Sequence, residues 1–151
     1  MRLTFRAHAH TALANSIARV RKRECSKVKL PAIVKLTRCI ESHQETVQDW
    51  MKNVTGRLNV IELQVPDEKK INALCCIVRD IETEITTILT PFCADEAKFV
   101  VRLYRTVLED VLELICRSPK CNGYLSGYKA PKAKSFSGLI STLLRIVFSL
   151  E

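Results

Sequence analysis

Glycine and proline are scarce in this chain, four and five residues in 151. That scarcity excludes collagen-like and low-complexity architectures and leaves long stretches free to form regular structure. Aromatics are also few, five Phe, three Tyr and Trp50. The apolar mass is therefore Leu, Ile and Val, the usual filling of helix bundles. No Gly-rich phosphate loop, nucleophile elbow or pair of convergent carboxylates is present. Histidine occurs three times, as His8, His10 and His43, which leaves nucleophilic cysteine short of a base and an orienting group. No Cys-x-x-Cys pair occurs either, and of the histidines only His43 lies anywhere near the thiols of the middle of the chain, on a different predicted helix. Structural zinc and thioredoxin-like redox chemistry both lack their usual spacing. The expectation is a protein that is not an enzyme, with no catalytic residue, no metal and no cofactor.

Positive charge is unevenly placed. The net charge is +8, but residues 1–38 carry +9, residues 39–117 carry −5 and residues 118–151 carry +4. A nucleic-acid binder needs its basic residues on the folded body. Here the middle repels phosphate, so no nucleic acid is expected as partner. No acid precedes Glu24, and the first 24 residues contain no apolar run of seven. This is not an ordinary secretory signal. Arg2, Arg6, Arg19, Arg21, Lys22 and Arg23 lie among Ala, His, Thr and Ser, as in a mitochondrial presequence. A basic helical arm, or a gene-model start that lacks a signal exon, fits the same residues.

Apolar periodicity predicts three strong helical segments. Ile33, Leu36, Ile40, Val47, Trp50, Met51, Val54, Leu58 and Ile61 recur at steps of three, four or seven across residues 31–64. This is one helix or two collinear ones, with Pro31 in its first turn and Gly56 as the weak point where it bends or splits. Residues 67–89 follow, with Asp67 as N-cap and a stripe of Ile71, Leu74, Val78, Ile81, Ile85 and Ile88. Residues 94–117 are third, with Asp95 and Glu96 at the positive helix end and a stripe of Ala97, Val100, Tyr104, Val107, Leu108, Val111, Leu114 and Ile115. The acids Asp80, Glu82, Glu84, Glu109, Asp110 and Glu113 fall off these stripes and read as solvated faces. Residues 118–137, rich in Pro, Gly, Ser and Lys, read as a loop or linker. Residues 138–150 are strongly apolar but too short to span a bilayer. They read as a further bundle helix using Leu139, Ile140, Leu143, Leu144, Val147 and Leu150, or as a lipid-anchor signal beginning at Ser135, Ser137 and Gly138.

What the chain has in abundance is cysteine, seven residues: Cys25, Cys39, Cys75, Cys76, Cys93, Cys116 and Cys121. Buried free thiols pack as small hydrophobes, but this number points to disulfides. Neighbouring positions on a helix lie about 100° apart, so Cys75 and Cys76 face two directions and reach two neighbouring helices. Cys93 sits just before the third segment and Cys116 at its end, both well placed to clamp it. An odd count leaves one cysteine unpaired or bonded to another chain, the route to a disulfide-linked dimer. Asn53-Val54-Thr55 is an N-glycosylation sequon.

Leu74-Cys75-Cys76, then Cys93-Ala94-Asp95-Glu96-Ala97, Phe99-Val100 and Leu114-Ile115-Cys116, with Cys25 and Cys39 upstream, make a pattern over residues 25–121. It resembles a broad group of secreted, cysteine-rich, all-helical proteins of arthropods and nematodes, a family of unknown function. The resemblance implies an extracellular, disulfide-stapled helical bundle and carries no catalytic residues. That group usually has a further cysteine between its Cys-Cys pair and the next one. Here the stretch from Ile77 to Phe92 has none.

Together these readings predict an all-α, disulfide-stabilised bundle of about four main helices. Its organisation is a basic N-terminal arm (1–24), a cysteine-rich helical domain (25–117), a loop or linker (118–137) and an apolar C-terminal helix or tail (138–151). The expected role is a non-enzymatic secreted or cell-surface module that binds an unidentified protein or a small apolar ligand. The alternative is a mitochondrial thiol-rich helical protein imported through the basic N-terminal segment.

Overall fold

A computed structural model describes residues 2–24, 30–138, 141–143 and 145–146. The architecture is all-α, as the periodicity predicts. Over the described residues up to Ile115 the helices are α1 (Arg2–Glu24), α2 (Leu30–Ser42), α3 (Gln44–Leu63), α4 (Asp67–Leu89) and α5 (Ala94–Ile115). Among the described residues there is no strand.

The basic arm is itself a helix, α1, one of the forms expected for it. The segment over residues 31–64, read as one helix or two, is two, and the break falls at His43 rather than at Gly56. His43 is a single turn residue whose amide bonds the Ile40 carbonyl at 3.0 Å. Gly56 instead lies buried inside a continuous α3. The α4 boundaries fall where Pro66 and Thr90-Pro91 predict them. Asp67 is already in the first turn, where its carboxylate accepts from Lys70 Nζ at 2.8 Å.

The chain forms two compact units, residues 1–44 with 82–114, and residues 45–81 with 115–151. In the second unit the core is made by Val54, Leu58, Val60, Ile61 and Val65 together with Leu74, Ile77, Val78 and Ile81. All six residues from Ala73 to Val78 are buried. A helix buried on every side is surrounded by other elements, so α4 is the central post of this unit. Its predicted stripe was too narrow: Ala73, Cys75, Cys76 and Ile77 are inside, while Ile71 is 37% exposed. Ile146 is fully buried and Thr142 nearly so. Residues 141–143 and 145–146 are helical. Of the apolar residues predicted to seat it, Leu143 is half-buried, whereas Leu139, Ile140, Leu144, Val147 and Leu150 lie outside the described residues. The two buried positions, Thr142 and Ile146, were not among those predicted.

In the first unit Ile85, Leu89, Cys93, Ala97 and Phe99 are buried. The predicted α5 residues Val100, Tyr104, Val107 and Leu108 are only half-buried, and Leu114 is 41% exposed. The Val111 side chain lies outside the described residues. The basic arm docks here. Ser16, fully buried, donates to Asp110 at 3.2 Å, and Arg19 reaches the same carboxylate at 2.5 Å. Asp110 is therefore a docking point and not a solvated acid.

Residues 118–137 form no helix or strand, as expected of a loop. They turn at Gly123 and Gly127, both at positive φ (64° and 89°), a conformation open to glycine. Farther on they lie against α3. The Ala133 amide bonds the Lys52 carbonyl at 3.1 Å, and Lys132 Nζ reaches Asp49 at 2.6 Å. The Pro131 carbonyl comes so close to α3 that a Cβ on Gly56 would meet it at 2.1 Å. Glycine at position 56 is what admits this strand of loop.

Gly56→Ala should consequently destabilise the protein despite the better helix propensity of alanine. The propensity gain is about 1 kcal/mol, whereas forcing backbone apart in a packed site costs about 1–3 kcal/mol. A lower midpoint in thermal or urea unfolding is the expected outcome. An unchanged or higher midpoint would show that the loop does not sit on α3.

Candidate functional site

Three disulfides tie the two units internally. Cys39, near the end of α2, bonds Cys93 just before α5, with Cα atoms 6.1 Å apart. In the second unit Cys75 bonds Cys116 (Cα–Cα 5.6 Å) and Cys76 bonds Cys121 (Cα–Cα 5.2 Å). Six of the seven cysteines are thus paired within the chain, and Cys25 lies outside the described residues. The two adjacent cysteines do diverge as helical geometry requires. They do not reach two different helices, however. Both partners come from the short stretch that follows α5.

The reason is visible on α4. Asn72, Cys76 and Asp80 recur at steps of four, so they share one face of the helix. Asn72 holds residue 120 at both ends, its Nδ2 donating to the Lys120 carbonyl at 2.8 Å and its Oδ1 accepting from the Lys120 amide at 2.7 Å. Cys76 takes Cys121. Asp80 accepts from the Tyr124 hydroxyl at 2.6 Å. The segment 120–124 is therefore stitched along α4 at three successive turns. The sequence reading set Asp80 among the solvated acids and Cys76 among the disulfide candidates, without joining them to Asn72 in one task.

In the first unit the residues of chemical interest gather around the Cys39–Cys93 bond. His43 follows Cys39 by four residues, at the close of α2. Its Nδ1 lies 3.1 Å from the Cys39 carbonyl, and its ring stacks on Phe92 with centroids 3.9 Å apart and planes 9° from parallel. A ring nitrogen of His43 and both sulfurs lie within 4.8 Å of one another. His43, the histidine that the sequence places nearest the thiols but on another helix, thus stands beside two of them. Helix ends that are distant in sequence, at 39–43 and 92–93, meet because the disulfide joins them. The Cys-x-x-x-His spacing of Cys39 and His43, one helical turn, was the available signal.

An open groove of about 460 Å³ lies elsewhere on the same unit, lined by Glu82, Lys98, Arg102, Arg105, Glu109 and Glu113 among others. Glu82 accepts from Arg105 across it. Burial, reinforced by Glu82 and Glu84, pushes the Tyr104 phenol well above its ordinary value. The glycosylation candidate Asn53 is exposed on α3, while Thr55 of its sequon is buried and donates to the Met51 carbonyl at 2.7 Å. No family model, curated protein or solved structure matches this chain.

Two measurements follow. Closing the 41 residues between Cys75 and Cys116 should contribute about 4 kcal/mol in the chain-entropy picture, and a second bond a few residues farther along adds only about 2 kcal/mol. Replacing either pair by serine should therefore cost about 2 kcal/mol, and replacing both about 6 kcal/mol. Strictly additive losses in a double-mutant cycle would contradict the shared loop. The raised Tyr104 phenol means that the folded state holds this proton more tightly than the unfolded state. Its stabilising contribution is full below the ordinary tyrosine value of about 10 and is lost as pH rises past it. The alkaline fall in unfolding free energy should be shallower in Tyr104→Phe than in the natural chain.

Proposed function

We propose that this protein is a non-enzymatic, secreted or cell-surface helical module, held together by its disulfides and acting by binding a protein partner or a small apolar ligand. The observation that carries this reading is the closure of six cysteines into three intrachain disulfides. Such bonds persist in oxidising compartments and are rare in reducing ones. The likeness of residues 25–121 to secreted cysteine-rich helical proteins supports the same assignment, and so does the sequon at Asn53. Among the described residues no helix is long and apolar enough to cross a membrane. Because Thr55 is buried, a glycan on Asn53 would be added before α3 folds.

The mitochondrial alternative draws on α1, whose last turn holds Arg21, Lys22 and Arg23 and whose first turn has no acid. Against it, Ser16 and Arg19 anchor that helix to Asp110, a contact suited to a segment the mature protein keeps.

Mass spectrometry of the unreduced, alkylated protein from its native source separates these readings. The expected result is three blocked cysteine pairs and a glycan on Asn53. Seven alkylated thiols would overturn the secreted reading. A mature N-terminus in the Arg21–Cys25 region would favour mitochondrial import.

A further inference from the structure

Among the described residues, one place brings three metal-ligating side chains together: Cys39, His43 and Cys93. Two of them come from the end of α2 and one from the residue preceding α5. Cys93 is buried, whereas Cys39 and His43 are half-buried, so the cluster is reached from its Cys39 and His43 side. While the two sulfurs are bonded to each other they offer no thiolate. We propose that the Cys39–Cys93 disulfide is the closed form of a redox-gated metal site, which on reduction binds one zinc ion through Cys39, Cys93 and His43.

The chemistry balances simply. An external dithiol gives two electrons and two protons to the disulfide and is itself oxidised to a disulfide. Zinc then displaces the two thiol protons, since the thiolate is the ligand. Three protein ligands of the type Cys₂His with a solvent molecule in the fourth place make an established coordination for zinc. The imidazole is already prepared for this. Its Nδ1–H faces the Cys39 carbonyl at 3.1 Å, and its plane is fixed by Phe92. With one nitrogen given to a backbone carbonyl, the Nε2 lone pair is left for a metal, the arrangement that orients most histidine ligands. A ring nitrogen of His43 and the two sulfurs already lie within 4.8 Å of one another, so opening the bond leaves three ligand side chains gathered in one place.

Neither other disulfide has this company. Among the described residues, no third ligand of this kind joins Cys75 and Cys116, or Cys76 and Cys121. The inference rests on the geometry of this cluster and not on the proposed extracellular role. In an oxidising compartment the site stays shut.

Cobalt(II) titration tests it, because a tetrahedral thiolate site gives intense charge-transfer and visible absorption. The oxidised chain should give none. After reduction with a phosphine, the chain should bind one equivalent, and excess zinc should displace the cobalt. His43→Ala keeps both thiols and should weaken binding about tenfold or more. The chain carrying Cys39→Ser with Cys93→Ser, which keeps the other four cysteines of the described residues, should give no band. Three results would overturn the proposal: no band from the reduced natural chain, an unchanged band in the double serine variant, or unchanged affinity in His43→Ala. The disulfide mapping that tests secretion is independent of all three.

Discussion

Cys75 and Cys76 occupy adjacent positions in the middle of the most buried stretch of α4, and each is bonded to the chain that follows α5. A single bond at that point would fix one distance and leave the returning chain free to pivot. Two bonds from neighbouring residues, about 100° apart around the helix, fix its direction as well. Asn72 one turn before and Asp80 one turn after can then meet Lys120 and Tyr124 at hydrogen-bonding distance. The stretch beyond continues to α3 and lies on Gly56. The order of residues 116–133 descends from that pair of bonds. Without them a segment rich in Lys, Ser and Gly has too little apolar area to hold itself against its own conformational entropy.

The same constraint accounts for what could be read from sequence and what could not. Helices α4 and α5 were legible because Pro66, Pro91 and Pro119 bound them and their apolar residues repeat with helical period. The width of the α4 core face was not. A stripe rule assumes one buried side, and Ala73, Cys75, Cys76 and Ile77 are buried because the clamped segment covers the other. The break at His43 was missed because glycine was taken as the weaker point. Gly56 is instead placed by a tertiary contact 75 residues away in Pro131, which no local propensity reports.

The disulfide character of the cysteines was legible from their number and from the divergence of the adjacent pair. Their partners were not, since connectivity depends on which way the chain returns after α5. The cluster around Cys39 shows the same limit. The one-turn spacing to His43 was available, but its relevance depends on Cys93 and Phe92, 54 and 53 residues beyond Cys39, arriving at the same helix end. Two of the six acids read as solvated do more than face water, for a related reason, while Glu109 and Glu113 are exposed as expected. Asp80 and Asp110 look solvated on a helical wheel, and each serves as acceptor for a residue distant in sequence, Tyr124 and Ser16 respectively.

The strap from residue 118 to residue 137 has the composition of a proteolytic target, with Lys120, Lys129, Lys132 and Lys134 among small and turn-forming residues. A protease takes its substrate in extended form, so cleavage within a folded unit ordinarily requires local opening. Here Lys120 is held by its own amide and carbonyl, and the amide that follows Lys132 is held by α3. Peptide cleavage at those two lysines is thereby coupled to unfolding of the unit that holds them. A nick between Cys116 and Cys121 would leave both fragments attached, because the Cys76–Cys121 bond bridges the cut.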